Sequence, residues 1–158
     1  MARLVLPVVT LALTMPVLAQ SGQSSAVIAV SLEVVPNCTV AAAPLSFMSP
    51  IGSGAKATTD IAIACGPDEA FTLSLDRGTH AAGQLRRAYD PVADRYLAYD
   101  IFRDPGRSQR WGDGPGETVY GVTNASGKAS LKAYGGLAAG QRIQSGAYAD
   151  QIVVSINF

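Results

Sequence analysis

The stretch Phe71-Thr72-Leu73-Ser74-Leu75 decides the fold class, because its side chains alternate between large apolar groups and small hydroxyls. Successive side chains of a β-strand point to opposite faces. The alternation therefore places three apolar side chains on one face and two hydroxyls on the other. The sequence predicts a half-buried strand here, in a sheet that covers a core with one of its faces.

Similar β-rich runs extend along the rest of the chain, separated by clusters of Gly, Pro, Asn and Asp. No amphipathic helix pattern of useful length occurs among them, and their spacing is typical of a sandwich or a barrel. We predict two hairpins, with turns at residues 90–94 and 124–127, and a Gly/Ser turn at Ile51–Lys56. The further predicted strands are Val27–Val35, Leu45–Phe47, Thr58–Ala64, Gln84–Tyr89, Arg95–Phe102, Thr118–Thr123, Lys128–Tyr134 and a C-terminal run that ends at Phe158.

The N-terminus has the three parts of a secretory signal peptide. Arg3 supplies a positive charge, Leu4–Leu18 is almost entirely apolar, and Val17-Leu18-Ala19 places small residues before a cleavage site. The apolar run is too short for a membrane anchor and is interrupted by two prolines. We therefore expect residues 1–19 to be removed on export, leaving one ordinary domain's length of chain.

The charges of the chain are few and balanced, with 12 basic and 12 acidic residues. Proteins that bind nucleic acid or anionic lipid through their surface carry an excess of basic residues. The composition therefore argues against both kinds of partner, and against nucleic acid in particular.

Two cysteines, Cys38 and Cys65, are present. An even number of cysteines in an exported chain favours a disulfide, and these two allow a single intrachain pairing. A metal site or a redox pair is the alternative, but the two residues lack C-x-x-C spacing and nearby histidines. We predict a Cys38–Cys65 disulfide.

Several short motifs follow one another in a fixed order along the chain. An Asn-Cys pair comes first, an arginine- and tyrosine-rich stretch lies in the middle, and an alternating apolar strand comes last. The motifs are Asn37–Val40, Leu45–Phe47, the strand into Cys65, Arg86–Tyr89, Tyr96–Asp104, Trp111-Gly112 and Gly146–Phe158. In this order they resemble the spore coat protein U domain family over nearly the whole exported chain.

The resemblance implies a subunit of archaic, Csu-type chaperone–usher pili of Gram-negative bacteria. Such subunits are all-β: an incomplete immunoglobulin-like β-sandwich is completed by a donor strand from a neighbouring subunit. The implied organisation is a signal peptide at 1–19, a donor-strand extension at 20–36 and a pilin domain at 37–158. The implied donor side chains are Ile28, Val30, Leu32 and Val34. The implied acceptor-groove and chaperone-contact residues are Tyr148, Ile152, Val154, Ile156 and Phe158.

The same resemblance implies partners and a location. The partners would be like pilin subunits in a homo- or hetero-polymer, a periplasmic chaperone and an outer-membrane usher. The chain would pass through the periplasm to the cell surface, and the fibre would serve adhesion and biofilm formation. No cofactor and no metal are implied.

A monomeric secreted β-sandwich that binds a glycan or a surface ligand is the alternative function. Trp111 lies near Arg107 and Arg110 in a polar loop and would provide an aromatic ring for such a ligand. A loop tryptophan that packs over its own hairpin is at least as consistent with the sequence. The two functions differ in whether the chain folds stably alone.

A secreted hydrolase is a third possibility, and the sequence argues against it. His80 is the only histidine, and no nucleophile-elbow spacing is present. The carboxylates of Asp90, Asp94, Asp100 and Asp104 lack the spacing of a calcium loop. Asp90 and Asp104 each precede a proline, so we expect these side chains to stabilise turns.

Overall fold

Eight β-strands form in the described part of the chain, and no helix does. The computed structural model describes residues 29–32, 37–48, 54–137 and 140–158. No described helix is therefore long and apolar enough to cross a membrane. The strands are β1 Thr39–Ala42, β2 Ala55–Ala64, β3 Ala70–Leu75, β4 Arg86–Asp90, β5 Arg95–Phe102, β6 Val119–Val122, β7 Lys128–Leu137 and β8 Val154–Asn157.

The strands form two antiparallel sheets. The larger sheet has the order β1-β2-β7-β5-β4, and the smaller sheet has the order β6-β3-β8. In the larger sheet the longest ladder joins β2 to β7, running from Ala55 opposite Leu137 to Ala64 opposite Lys128. In the smaller sheet β3 is central and pairs with both β6 and β8.

The core lies between the inner faces of the two sheets. The alternation in β3 works as predicted: Phe71, Leu73 and Leu75 are buried, while the hydroxyl residues between them are partly exposed. Each large apolar side chain that is fully buried stabilises the fold by about 1.5–3 kcal/mol. The buried core cluster consists of Ile61, Ile63, Phe71, Leu73, Leu75, Ile101, Trp111 and Ala133.

The first predicted hairpin is confirmed. Strands β4 and β5 pair in antiparallel register, with Asp90 opposite Arg95 next to the turn. The carboxylate of Asp90 accepts hydrogen bonds from the backbone N–H groups of Val92 and Ala93. Asp94 ends the turn with a positive φ of 50°. An Asp that bonds to the backbone two residues later is a local turn signal, which explains why this hairpin could be predicted.

The second predicted hairpin is wrong. Strands β6 and β7 are joined by a tight turn at residues 124–127, but they belong to different sheets. β6 pairs with β3, whereas β7 pairs with β2 and β5. The Asn124 side chain bonds to the N–H groups of Ser126 and Lys128, which fixes the turn locally. Turn chemistry sets a change of direction, whereas the partner of each strand is set by distant segments.

Several predicted strands differ from the observed ones in their bounds or are absent. Leu45–Phe47 is not a strand; the last contacts of this segment with β2 involve the backbone of Ala43, which bonds to Asp60 and Thr59. β2 begins at Ala55, inside the predicted Gly/Ser turn, because β7 is long enough to pair with it there. The regular C-terminal strand is shorter than predicted and begins at Val154.

The Cys38–Cys65 disulfide is formed, as predicted. The two Cα atoms lie 4.2 Å apart although the residues are separated by 27 positions. Cys38 directly precedes β1 and Cys65 directly follows β2. The disulfide therefore closes the end of the ladder that holds β1 in the larger sheet.

Trp111 is a core residue, which corrects its interpretation as a surface ring for a ligand. Its side chain is 1% exposed, and its Nε1 donates a hydrogen bond to the carbonyl oxygen of Leu73, 3.2 Å away. The bond crosses from the loop after β5 to the smaller sheet. An indole at this depth offers no surface to a glycan, and it belongs to the core cluster that also contains Ile101 of β5.

The N-terminal predictions fall mostly outside the described residues. The chain divides into two units, Met1–Glu33 and Val34–Phe158, and the signal peptide at 1–19, Ile28 and Val34 are not described. Residues 29–32 are described and form no regular strand. The side chains of Val30 and Leu32 are 86% and 88% exposed. The donor role of this segment stays a prediction.

Candidate functional site

An unpaired sheet edge runs along β8. Within the described residues β8 pairs only with β3, with Val154 opposite Leu75 and Asn157 opposite Thr72. β1 is likewise the edge of the larger sheet, and it lies close to β8. Exposed edges carry unsatisfied N–H and C=O groups that can pair with another strand. The two sheets are thus joined on this side by no described strand.

An apolar cleft of about 780 Å³ opens on this side of the sandwich. Its floor is the inner face of the larger sheet, one wall is the segment after β1, and the other wall is the C-terminal segment before and within β8. The floor residues are Thr59, Ile61, Ala88, Leu97, Tyr99, Ile101, Ala133 and Leu137. The walls are formed by Ala42–Phe47 and by residues 143–150, Ile152 and Val154.

The structure brings most of the predicted acceptor residues together. Tyr148, Ile152 and Val154 line the cleft. Ile156 packs against the core cluster beside them but is not part of the lining, and Phe158 is 52% exposed at the end of the chain. The even-numbered side chains from 152 to 156 are half-buried and the odd-numbered ones exposed, as the alternation predicts. Their role in accepting a strand stays a prediction.

The wall before β8, which we call the wall segment (residues 148–153), is held to the body on one side. Backbone hydrogen bonds join Ala149 to Tyr89 in both directions, at 2.8 and 3.0 Å. The carbonyl oxygen of Val153 accepts from the N–H of Asp76, and the N–H of Val153 donates to the Asp76 carboxylate. These contacts reach both sheets, because Tyr89 is in β4 and Asp76 follows β3.

A buried carboxylate lies in the middle of the wall segment. The Asp150 side chain is 3% exposed and accepts a hydrogen bond from the phenol of Tyr99 at 2.7 Å. It also contacts Nδ1 of His80 at 3.1 Å and accepts from the backbone N–H of His80 at 3.2 Å. Burial, and then the hydrogen bond to Asp150, raise the pKa of Tyr99 well above its ordinary value. The phenol therefore keeps its proton and remains a donor.

Sequence reasoning missed a second buried charge, Arg86. Its side chain is fully buried on β4, and its guanidinium donates to the carbonyl oxygens of Leu75 and Asp76 and to the carboxylate of Asp100. Asp100 also pairs with Arg110 at 2.9 Å. The signal was an arginine at an inward position of an alternating strand. Such a charge needs several partners, which a strand pattern does not reveal.

Gly135 makes room for the wall that follows β1, which packs directly against it. Gly135 faces inward on β7, and a Cβ atom at this position would lie 2.8 Å from Leu45 Cδ2. The rings of Phe47 and Tyr99 lie 6.1 Å apart next to it. The absent side chain of Gly135 thus lets the segment after β1 pack closely on the floor. Leu45 and Phe47 line the cleft without belonging to a strand.

The other charged groups considered in the sequence serve turns and ion pairs. The Asp104 carboxylate accepts from the N–H groups of Ser108 and Gln109, which confirms a turn role. Asp94 accepts a hydrogen bond from Tyr89. Within residues 29–32, 37–48, 54–137 and 140–158, no group of three or more His, Cys, Asp or Glu side chains could hold a metal ion. The described site is a cleft lined mainly by apolar side chains, with one buried carboxylate, that of Asp150, in its wall.

Known proteins resemble this chain in sequence and in fold. Residues 24–155 match the Spore Coat Protein U domain. Protein U of Myxococcus xanthus is 26% identical over 121 residues, which cover 73% of this chain and 67% of that protein.

The fold matches a chain in the crystal structure of the CsuC–CsuE chaperone–tip adhesion subunit pre-assembly complex, from the archaic chaperone–usher Csu pili of Acinetobacter baumannii. The TM-score is 0.62 at 20% identity. The match covers 79% of this chain and 40% of that one. The fold is therefore an all-β, immunoglobulin-like sandwich, and by the extent of its sequence match the chain belongs to the Spore Coat Protein U domain family.

Proposed function

We propose that the chain is a structural subunit of a cell-surface pilus, and that subunits join by donating a β-strand to one another. The observation that carries this proposal is the apolar cleft beside the unpaired edge of β8. An added strand can bond to the free edge of β8 and place alternate side chains in the cleft. The family membership supports the same function.

The energetics of the cleft favour a strand as its occupant. The open cleft leaves Leu97, Tyr99 and Ile152 partly exposed to water, which is unfavourable for their apolar surface. Four apolar donor side chains would contribute about 6–12 kcal/mol by burial, before the cost of ordering the segment. Main-chain hydrogen bonds to β8 add to this. A subunit without its strand is therefore expected to aggregate or to need a protective partner.

The N-terminal extension, residues 20–36, is the proposed donor. Its alternating side chains Ile28, Val30, Leu32 and Val34 give one apolar face of a strand. The exposure of Val30 and Leu32 is consistent with side chains that become buried only in a neighbouring subunit. Donation along a series of subunits would produce a polymer without covalent bonds.

The proposed partners are like pilin subunits, a periplasmic chaperone and an outer-membrane usher. A chaperone would protect the cleft and the residues Tyr148, Ile152, Val154, Ile156 and Phe158 until a donor arrives. The similar fold comes from a chaperone–subunit complex of a chaperone–usher pilus, which supports this assignment. The proposed location is the cell surface, reached through the periplasm, and the proposed roles of the fibre are adhesion and biofilm formation.

The test compares two proteins by thermal melting and size exclusion. One is the chain from Gln20 to Phe158. The other lacks the N-terminal extension and carries residues 25–35 on a short flexible linker after Phe158, so that the added strand can return antiparallel to β8. We expect the second protein to be a monomer that melts at least about 15 °C higher, as the burial energy implies.

The opposite result would support the alternative function. If the first protein is a stable monomer and the added strand gives no gain, the sandwich needs no donor and the pilus proposal fails. A monomeric sandwich that binds a glycan would then be the better-supported function. The burial of Trp111 removes the one aromatic residue that the sequence offered for such a site.

A further inference from the structure

We propose that Asp150 is a positioning residue for the cleft: its buried carboxylate clamps the wall segment to the cleft floor and to the loop after β3, and so keeps the cleft open before a strand enters. This inference rests on the proposed function for the purpose of the cleft. It adds a residue that controls how readily the cleft accepts a strand.

The wall segment has few attachments of its own. Residues 148–153 precede the regular part of β8, and their backbone bonds reach only Tyr89, Thr79 and Asp76, all on one side. On the cleft side no described strand pairs with them. A strand paired along one edge opens more easily than one paired along both. Its position therefore depends strongly on its side chains.

Asp150 supplies the side-chain attachment. Its carboxylate joins three elements: the wall segment that carries it, Tyr99 of β5 on the floor, and His80 in the loop after β3. A buried carboxylate is costly unless donors surround it, so its position is fixed by these three contacts. Gly78 has a φ of 83° and lies directly against the carboxylate, where any side chain would collide with Asp150. The loop is thus shaped around this group.

The clamp opposes closure of the wall segment. Tyr148 and Ile152 flank Asp150 and line a cleft whose side chains are mainly apolar. Without an occupant, the hydrophobic effect favours movement of this wall toward the floor. The Asp150 carboxylate already lies 2.7 Å from the Tyr99 hydroxyl, so the wall cannot move closer to the floor here without disrupting this contact or the contacts with His80. Disrupting them would leave buried polar groups unpaired, which is unfavourable. The carboxylate therefore holds the wall at the distance that an entering strand needs.

The test measures uptake of a fluorescent peptide of residues 25–35 by the chain from Gln20 to Phe158, at a concentration where it remains monomeric. The variants are Asp150→Ala and Tyr99→Phe, of which the second keeps a ring on the cleft floor. Thr123→Val is the matched control, because Thr123 is 2% exposed and hydrogen-bonded to Gly66 but does not line the cleft. We expect Asp150→Ala to slow peptide association about tenfold, with Tyr99→Phe in the same direction.

The control separates positioning from stability. We expect Thr123→Val to lower the melting temperature and to leave the association rate unchanged. If all three variants slow uptake in proportion to their loss of melting temperature, Asp150 is only a structural residue and the proposal is overturned.

A second readout judges the clamp without a peptide. If the unmodified chain takes up no peptide, the proposed function fails. Hydrogen exchange of the Ala149 and Val153 amides then tests separately whether Asp150 holds the wall segment in place. Faster exchange of these two amides in Asp150→Ala, but not in Thr123→Val, would support it. Unchanged exchange in Asp150→Ala would overturn it.

Discussion

Trp111 is a residue whose sequence context predicts a surface position, whereas the structure buries it in the core. In the sequence it stands among Arg, Asp and Gly residues that are typical of a surface loop. In the structure the loop carries it into the core, where its ring is buried and its N–H reaches the carbonyl oxygen of Leu73. Its burial depends on a contact 38 positions away along the chain, which no local pattern contains.

The depth of Trp111 gives a prediction at the scale of one residue. Trp111→Ala should lower the free energy of unfolding by about 3–5 kcal/mol, because it leaves a cavity in the core and an unpaired carbonyl at Leu73. Urea denaturation measures this change in the strand-completed protein, which carries residues 25–35 on a linker after Phe158. Tyr120→Ala is the control, since Tyr120 is 69% exposed and its loss should change stability by less than about 0.5 kcal/mol. Equal effects of the two changes would contradict the core role.

Arg86 and Asp150 are the residues on which sequence reasoning was weakest. Both are charged, both are almost fully buried, and each satisfies its charge with groups from other elements. The shared face of Tyr148, Ile152 and Val154 could be predicted because apolar alternation is a local property, and the family resemblance implied that this face borders a groove. The partners of a buried charge are a property of the finished fold, so the polar half of the site could not be predicted.

At the scale of elements, prediction succeeded where the decisive interactions are local. β3 has a clear period of two, and the β4–β5 hairpin has a turn that Asp90 caps within three residues. It failed where partners are distant. The turn at 124–127 is as clear as the turn at 91–94, but β7 goes on to pair with β2 and β5 instead of β6. A sandwich differs from a series of hairpins in this choice of partner.

The disulfide gives a prediction at the same scale. β1 is an edge strand whose only described partner is β2, and the Cys38–Cys65 bond closes the end of that ladder. Replacing both cysteines with serine should lower the free energy of unfolding by about 3–4 kcal/mol in the chain-entropy account. Denaturation of the strand-completed protein measures the loss. Reduction of the unmodified protein should give a similar shift, and an unchanged midpoint in both would contradict the prediction.

The described β-sandwich combines a well-packed side and an open side. On one side β3 and the buried Trp111 close the core between the sheets. On the other side β8 and β1 are edges, with the apolar cleft between them. Asp150 lines this cleft, and the disulfide closes the start of β1, whose last residue also lines it. In the proposed function, a separate strand fills this gap.

The last prediction concerns assembly and uses the alternation of the proposed donor. Leu32 lies on its apolar face, and the neighbouring Ser31 lies on the opposite face. In the chain from Gln20 to Phe158, Leu32→Asp should abolish polymers, because it would bury a carboxylate without a partner in the cleft of the next subunit. Ser31→Asp adds the same charge one position away and should leave polymers largely intact, since that side chain would face solvent. Size exclusion and gels of unheated samples measure the polymers. Equal loss in both variants would mean that charge, and not the buried face of a strand, governs assembly.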